Sequence, residues 1–156
     1  MISSYLLSLL TLLMLLIMML QSFIAIPFFK IPALTFLVLT SIVYCFTETL
    51  IIFFFVGTGV SVRDYSKDNN LSDEYKKRSL NIKYKIYPPT MRNLLFMIIL
   101  FILPGAVHAG KIPAWLYQCF FLMCLTHYAY TKIVQHECFR DNTDNILAMA
   151  GIKRAA

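Results

Sequence analysis

Glu48 is the residue most able to do chemistry, because it sits where an acid is costly. Residues 33–56 read ALTFLVLTSIVYCFTETLIIFFFV. At 1.5 Å per residue this run is long enough to cross a hydrocarbon core of ~30 Å. A carboxylate at that depth needs a cation, a proton or a wet cavity. His127 lies in a second run, residues 114–134. If both runs cross in the same direction, each polar residue lies roughly 10–12 Å from the same membrane face. The two side chains are therefore expected within hydrogen-bond reach, directly or through one group. Cys45 precedes Glu48 by three positions and Cys124 precedes His127 by three, which places each pair on one helix face.

Three chemistries fit this set. The plainest is a structural polar pair, Glu48 with His127, Thr47 or a tyrosine such as Tyr44 or Tyr128, that fixes helix register. The second is a proton or ion path, since ionisable groups inside membranes often mark one. The third is a metal site of Cys45, Glu48, Cys124 and His127, whose ligand types suit zinc or copper. A haem held by two histidines of this chain fits poorly. His108 lies roughly 24 Å along its own run from the face that is only 10–12 Å from His127, and axial ligands of one haem share a depth. His136 falls nearer the aqueous side, and His136-Glu137-Cys138 reads as a solvated segment. A haem or quinone shared with another subunit stays open, with Tyr130 as a further neighbour. No cofactor is required by the residues themselves.

Other motifs are missing from the sequence. Gly57-Thr58-Gly59 is too short for a phosphate loop and no Lys-Ser/Thr follows it. It reads as a helix exit or a close-packing point. Nucleophile elbows and His-Glu-x-x-His pairs do not occur.

The elements that must position these groups follow from composition. Of 156 residues, 59% are hydrophobic and 14% charged, against about a quarter charged in ordinary soluble domains. The apolar residues gather into four runs, at about 5–26, 33–56, 93–109 and 114–134. The fold class expected is an all-α membrane protein, one domain of four transmembrane helices in an antiparallel bundle. The first run lacks a basic leader and a small-x-small cleavage site, so it is expected to be retained rather than processed. Gln21 is its one markedly polar residue. Residues 27–32 read as a hairpin bounded by proline, and Pro104-Gly105 should bend the third span. Trp115 and Tyr117 suit an interfacial belt.

Residues 57–92 form the expected hydrophilic connection. Ser72 caps a short helix there. Residues 81–87 alternate Ile82, Tyr84 and Ile86 with Lys83 and Lys85, an extended pattern that Pro88-Pro89 stops. Lys76, Lys77, Arg78, Lys83 and Lys85 are the residues expected to meet lipid headgroups or a partner. The tail, 135–156, is expected to hold a short interfacial helix at 141–150. Twelve Lys and Arg residues fall in or beside this connection and the tail, against two, Lys30 and Lys111, in the short connections. The positive-inside rule then places both termini in the cytoplasm. The same rule explains the net charge of +6 without nucleic acid, for which no binding motif is present. Cys45, Cys119, Cys124 and Cys138 form no C-x-x-C pair and no disulfide framework.

The function expected is that of a small non-catalytic integral subunit or accessory protein of a larger membrane complex, possessing a basic docking surface and set in a bacterial cytoplasmic membrane. A respiratory or electron-transfer complex is one such setting. A redox or quinone-linked anchor, and a homo-oligomer conducting protons or ions past Glu48, are the alternatives. Membrane lipids and other membrane subunits are the expected partners.

Overall fold

The computed structural model describes residues 2–24 and 32–152. Residues 27–31 of the expected hairpin, and Lys153 and Arg154 of the tail, lie outside the described residues. Among the described residues every regular element is an α-helix: α1 (Ile2–Ile24), α2 (Ala33–Asp68), α3 (Glu74–His108) and α4 (Ala114–Met149). By length and composition α1, α2 and α3 can each cross a membrane, which marks the chain as a membrane protein. α4 is as long, but Gln118, Thr126, His127 and Thr131 interrupt its apolar run and leave it outside that group.

α2 and α4 have 36 residues each and α3 has 35, about 54 Å of helix apiece, against 23 residues in α1. The hydrophilic connection expected over residues 57–92 is thus almost entirely helix. α2 runs straight through Gly57 and Gly59, and α3 runs through Pro88 and Pro89. Only residues 69–73 turn the chain. The tail likewise continues α4 to Met149 in place of a separate short helix, and Pro104-Gly105 stays within α3.

The physical reason lies in a spacing of three and four. On α3 the buried positions include Ser79, Ile82, Ile86, Pro89, Asn93 and Leu100. On α4 they include Phe121, Cys124, Tyr128, Thr131, Gln135, Cys138, Asn142 and Asn145. That is a heptad rhythm, in which one narrow seam faces its neighbours along the whole length. Ile82 and Ile86 share this buried seam, while Tyr84 points outward at 76% exposure. The alternation that reads as extended chain is therefore one turn of helix seen from the side. Burial of the seam offsets the amide donors that Pro88 and Pro89 lack.

Adjacent helices run antiparallel, as their cross-links show: Tyr5 with His136, Glu48 with Asn93, and Tyr75 with Asn145. α3 packs most extensively, on both α2 and α4; α1 lies on α2 and touches α4 lightly. Three helices end in the same way. Asn70, Gly110 and Gly151 have positive φ, and each is followed by an amide that bonds back five residues, Leu71 to Ser66, Lys111 to Ala106 and Ile152 to Leu147. This left-handed stop satisfies the last carbonyls and suits glycine best. The N-cap of α3 is Asp73, not the expected Ser72; the Ser72 hydroxyl, one residue earlier, accepts the Glu74 amide at 3.2 Å.

Two apolar cores result. One gathers Met14, Leu15, Leu37, Met97, Leu100 and Phe121; the other gathers Ile51, Phe55, Ile82, Ile86, Cys138 and Phe139. Past the level of Tyr5 and His136, α1 has ended and the other three helices continue as a charged extension. Lys85 donates there to Glu137 at 2.8 Å and lies 4.0 Å from Asp141. The bond and charge of Lys85 hold the Glu137 carboxyl below its usual range. A lowered carboxyl stabilises the fold above its unfolded pKa of about 4.3, and that contribution fades as pH falls through the folded value. Thermal stability in detergent is expected to drop over that acid window, and Lys85→Met should flatten the drop. Because both side chains are about half exposed, the effect should be small and weaker at high salt.

Candidate polar site inside the bundle

Between the two apolar cores lies a belt of buried polar side chains with Glu48 at its centre. α2 brings in Thr40, Tyr44, Thr47 and Glu48; α3 brings Thr90 and Asn93; α4 brings Tyr128, Thr131 and Gln135. α1 contributes Thr11, whose hydroxyl meets that of Thr47 at 3.0 Å. All of these occupy the inward seam of their helices, so the heptad rhythm itself carries polar groups into the middle of the protein.

Glu48 is 0% exposed. Its Oε1 accepts from Lys132 Nζ at 2.8 Å and from Asn93 Nδ2 at 3.3 Å; its Oε2 accepts from Gln135 Nε2 at 2.7 Å. The acid therefore has a cation partner after all. Lys132, which reads in the sequence as an interfacial charge of the tail, turns its amine inward. That amine also donates to Gln135 Oε1 at 2.9 Å and stands 4.6 Å above the Tyr128 ring, a cation–π position. Gln135 Nε2 makes a second bond, to Thr90 Oγ1 at 3.1 Å. One carboxylate thus joins α2 to α3 and α4, with donors on both oxygens.

The link between Glu48 and His127 runs through one group, Asn93. Asn93 spends its amide donor on Glu48, so its carbonyl faces the imidazole, 2.6 Å from His127 Nδ1. His127 then donates from Nδ1. In the neutral ring Nε2 is left as an acceptor, enclosed and without a partner among the described residues. The rings of Phe96 and Tyr130 lie 5.0 and 6.3 Å away. An amide between acid and imidazole positions them but does not pass a proton along by itself.

The other sequence candidates separate. Among the described residues no three His, Cys, Asp or Glu side chains come together as a metal-binding group, so the set Cys45, Glu48, Cys124 and His127 does not assemble. Glu48 is occupied by Lys132 and Gln135, His127 is turned to Asn93, and the Cys124 thiol lies 4.0 Å from the Phe96 carbonyl. Tyr44 and Tyr128 meet at a tilt, their ring centroids 5.1 Å apart, and the Tyr128 hydroxyl donates to the Ser8 carbonyl at 3.1 Å. His136 bonds Tyr5 at 2.9 Å, and His108 is exposed at the opposite end of the bundle. The residues expected at a docking surface lie on the extension. Lys76 pairs with Asp73 at 2.7 Å, Arg78 with Glu74 and Lys85 with Glu137; Lys77 is exposed. The end of the Lys83 side chain lies over Gly59, where a Cβ would meet its Cε and Nζ. Gly59 lies inside α2 and is not a helix exit, and the lysine end above it is free to shift.

Sequence reasoning missed Lys132, Asn93, Gln135 and Thr90. A signal was present: Tyr128, Thr131, Lys132 and Gln135 fall at i, i+3, i+4 and i+7, one face of a helix. No protein-family model, curated protein or solved structure matches the chain.

Proposed function

We propose that the chain is a non-catalytic, four-span integral subunit of a larger membrane complex, with both termini on the cytoplasmic side of a bacterial cytoplasmic membrane. The saturation of Glu48 carries this reading. A carboxylate that conducts ions must exchange its partners or meet water. This one is enclosed, and its donors come from the protein's own α3 and α4. It acts as a clamp on three helices. The working surface is then the outside, above all the three-helix extension. There Leu80 and Tyr84 stand exposed beside Lys76, Lys83 and Lys85, a mixture of apolar and basic groups suited to an acidic partner at the membrane surface.

The test is native mass spectrometry of the tagged chain, extracted gently from its own membrane. The expected mass is this chain plus larger companions, and the paired change Leu80→Glu and Tyr84→Glu should strip them while the helical circular dichroism stays. A chain that travels alone, or as a closed homo-oligomer, overturns the reading. A homo-oligomer whose pH-dependent flux in liposomes is abolished by Glu48→Gln would replace it with ion conduction.

A further inference from the structure

Three basic side chains from two helices line one cavity of the extension. It measures about 230 Å³ and lies between α2 and α3, with Gly59 and Arg63 on one wall and Lys76, Ser79 and Lys83 on the other. Among the described residues the lining holds no acid. Lys83 makes no ion pair or hydrogen bond with any of them. Arg63 gives only its Nε to Asp64, and Lys76 gives one of its three protons to Asp73. Both acids are more than half exposed, so these pairs are weak and a better acceptor can compete for the cations. Ser79 adds a buried donor. It is 5% exposed, yet its hydroxyl has no partner among the described residues, and its oxygen is not one of those sealed from the surface. A Cβ at Gly59 would meet the Lys83 Cε and Nζ and, at 3.3 Å, the Ser79 Oγ. The amine and the hydroxyl thus converge on the bare backbone of α2.

Cationic and hydroxyl donors gathered without an acceptor select an anion, and a phosphate offers several oxygens to such a cluster. Depth narrows the source. The apolar run of α2 ends at Val56, and Gly59 lies three residues on, about 4–5 Å further along the helix. The headgroup layers add roughly 5–8 Å to each side of the hydrocarbon core, so the cavity opens at the level of lipid phosphates. Val60 and Leu80, 41% and 50% exposed, also line it; a glycerolipid can use them and a free phosphate cannot. Basic pockets between membrane helices are known to hold lipid headgroups. We propose that this cavity binds a phosphate group, with Arg63, Lys76, Ser79 and Lys83 as its donors. Two sources share this chemistry, an anionic phospholipid and a soluble phosphate ester, and the depth and the apolar pair favour the lipid. The site uses the membrane placement of α2 and does not depend on the subunit reading.

The probes are dioleoyl phosphatidic acid, dioleoyl phosphatidylcholine and glycerol 3-phosphate. Each is titrated into the delipidated full chain in detergent and read by native mass spectrometry. Phosphatidic acid is expected to bind saturably at one equivalent per chain, and more tightly than phosphatidylcholine, whose tethered ammonium meets the basic wall. Saturation by phosphatidic acid alone assigns the lipid source, and equal binding of glycerol 3-phosphate the soluble one. Lys83→Ala should weaken binding about tenfold, the loss of one charge-assisted hydrogen bond. Ser79→Ala should weaken it too. Alanine is the better helix former, so the thermal midpoint of the ligand-free Ser79→Ala protein should hold or rise, and lost binding cannot then be blamed on unfolding. Lys77→Ala removes the same charge from an exposed position outside the lining and should bind as the parent does. The proposal is overturned if neither phosphatidic acid nor glycerol 3-phosphate saturates, or if phosphatidylcholine binds as tightly as phosphatidic acid. It is overturned equally if Lys83→Ala and Ser79→Ala both bind as the parent does, or if Lys77→Ala weakens binding as much as Lys83→Ala.

Discussion

Lys132→Ala is expected to cost about 3–5 kcal/mol of stability, the range seen when one member of a buried ion pair is removed. The reason is what stays behind. Glu48 remains fully enclosed, with only the amides of Gln135 and Asn93 to answer its charge. Glu48→Gln leaves the opposite orphan, an amine facing the Tyr128 ring and the Gln135 carbonyl. It should also destabilise. Glu48→Leu combined with Lys132→Met removes both charges together. Apolar replacement of a whole buried pair is often neutral or stabilising by about 1–4 kcal/mol, so the double variant should recover much of either single loss. Unfolding in detergent micelles, followed by circular dichroism, of the parent, Glu48→Leu, Lys132→Met and the double variant completes the cycle. Additive losses would show that the two side chains do not interact, and the clamp would have to be abandoned.

Phe139→Ala should be the costliest apolar truncation outside the belt, at roughly 3–5 kcal/mol for a buried phenylalanine. Phe139 is 2% exposed. Its ring meets Tyr5 of α1 at 5.7 Å, Phe54 at 5.1 Å and Phe55 at 5.0 Å. It therefore joins the start of α1 to α2 and α4 at the level where α1 gives out. Aromatic pairs add about 0.5–1.5 kcal/mol each beyond the area they bury. Phe139→Leu, which keeps most of the volume, should lose less. Ile133→Ala, on the same helix but 62% exposed, should change the midpoint little. Equal losses at positions 133 and 139 would show that this cluster does not hold the helices together.

The apolar runs of α1 and α2 are plain in the sequence, and so is the isolation of Glu48 within one of them. The bridge from Glu48 to His127 could be anticipated from depth alone. What could not be read locally is how far the helices go. Gly57, Gly59, Pro88 and Pro89, together with the surrounding charges, all argue against helix at short range. The opposing signal is spread over α2, α3 and α4 as single buried positions of mixed polarity. Ser79, Asn93, Gln135 and Asn142 sit in the same seam as Ile86, Leu100 and Cys138. A search for an apolar stripe passes over such a seam, because its members share a spacing and not a hydropathy. Lys132 was hidden for a related reason. A lysine at the end of an apolar run ordinarily reaches outward to the headgroups. Here its long stem lets the amine turn back to an acid on another helix.

Glu48 and Lys132 are 84 positions apart. A ribosome adding about 5–20 residues per second would deliver the acid roughly 4–17 s before its base. Throughout that interval the nascent α2 carries a polar group that nothing already synthesised on α1 can neutralise. The fastening therefore closes only after residue 132 has been made. A chain that stops short of residue 132 keeps an acid in its apolar run without the cation that answers it.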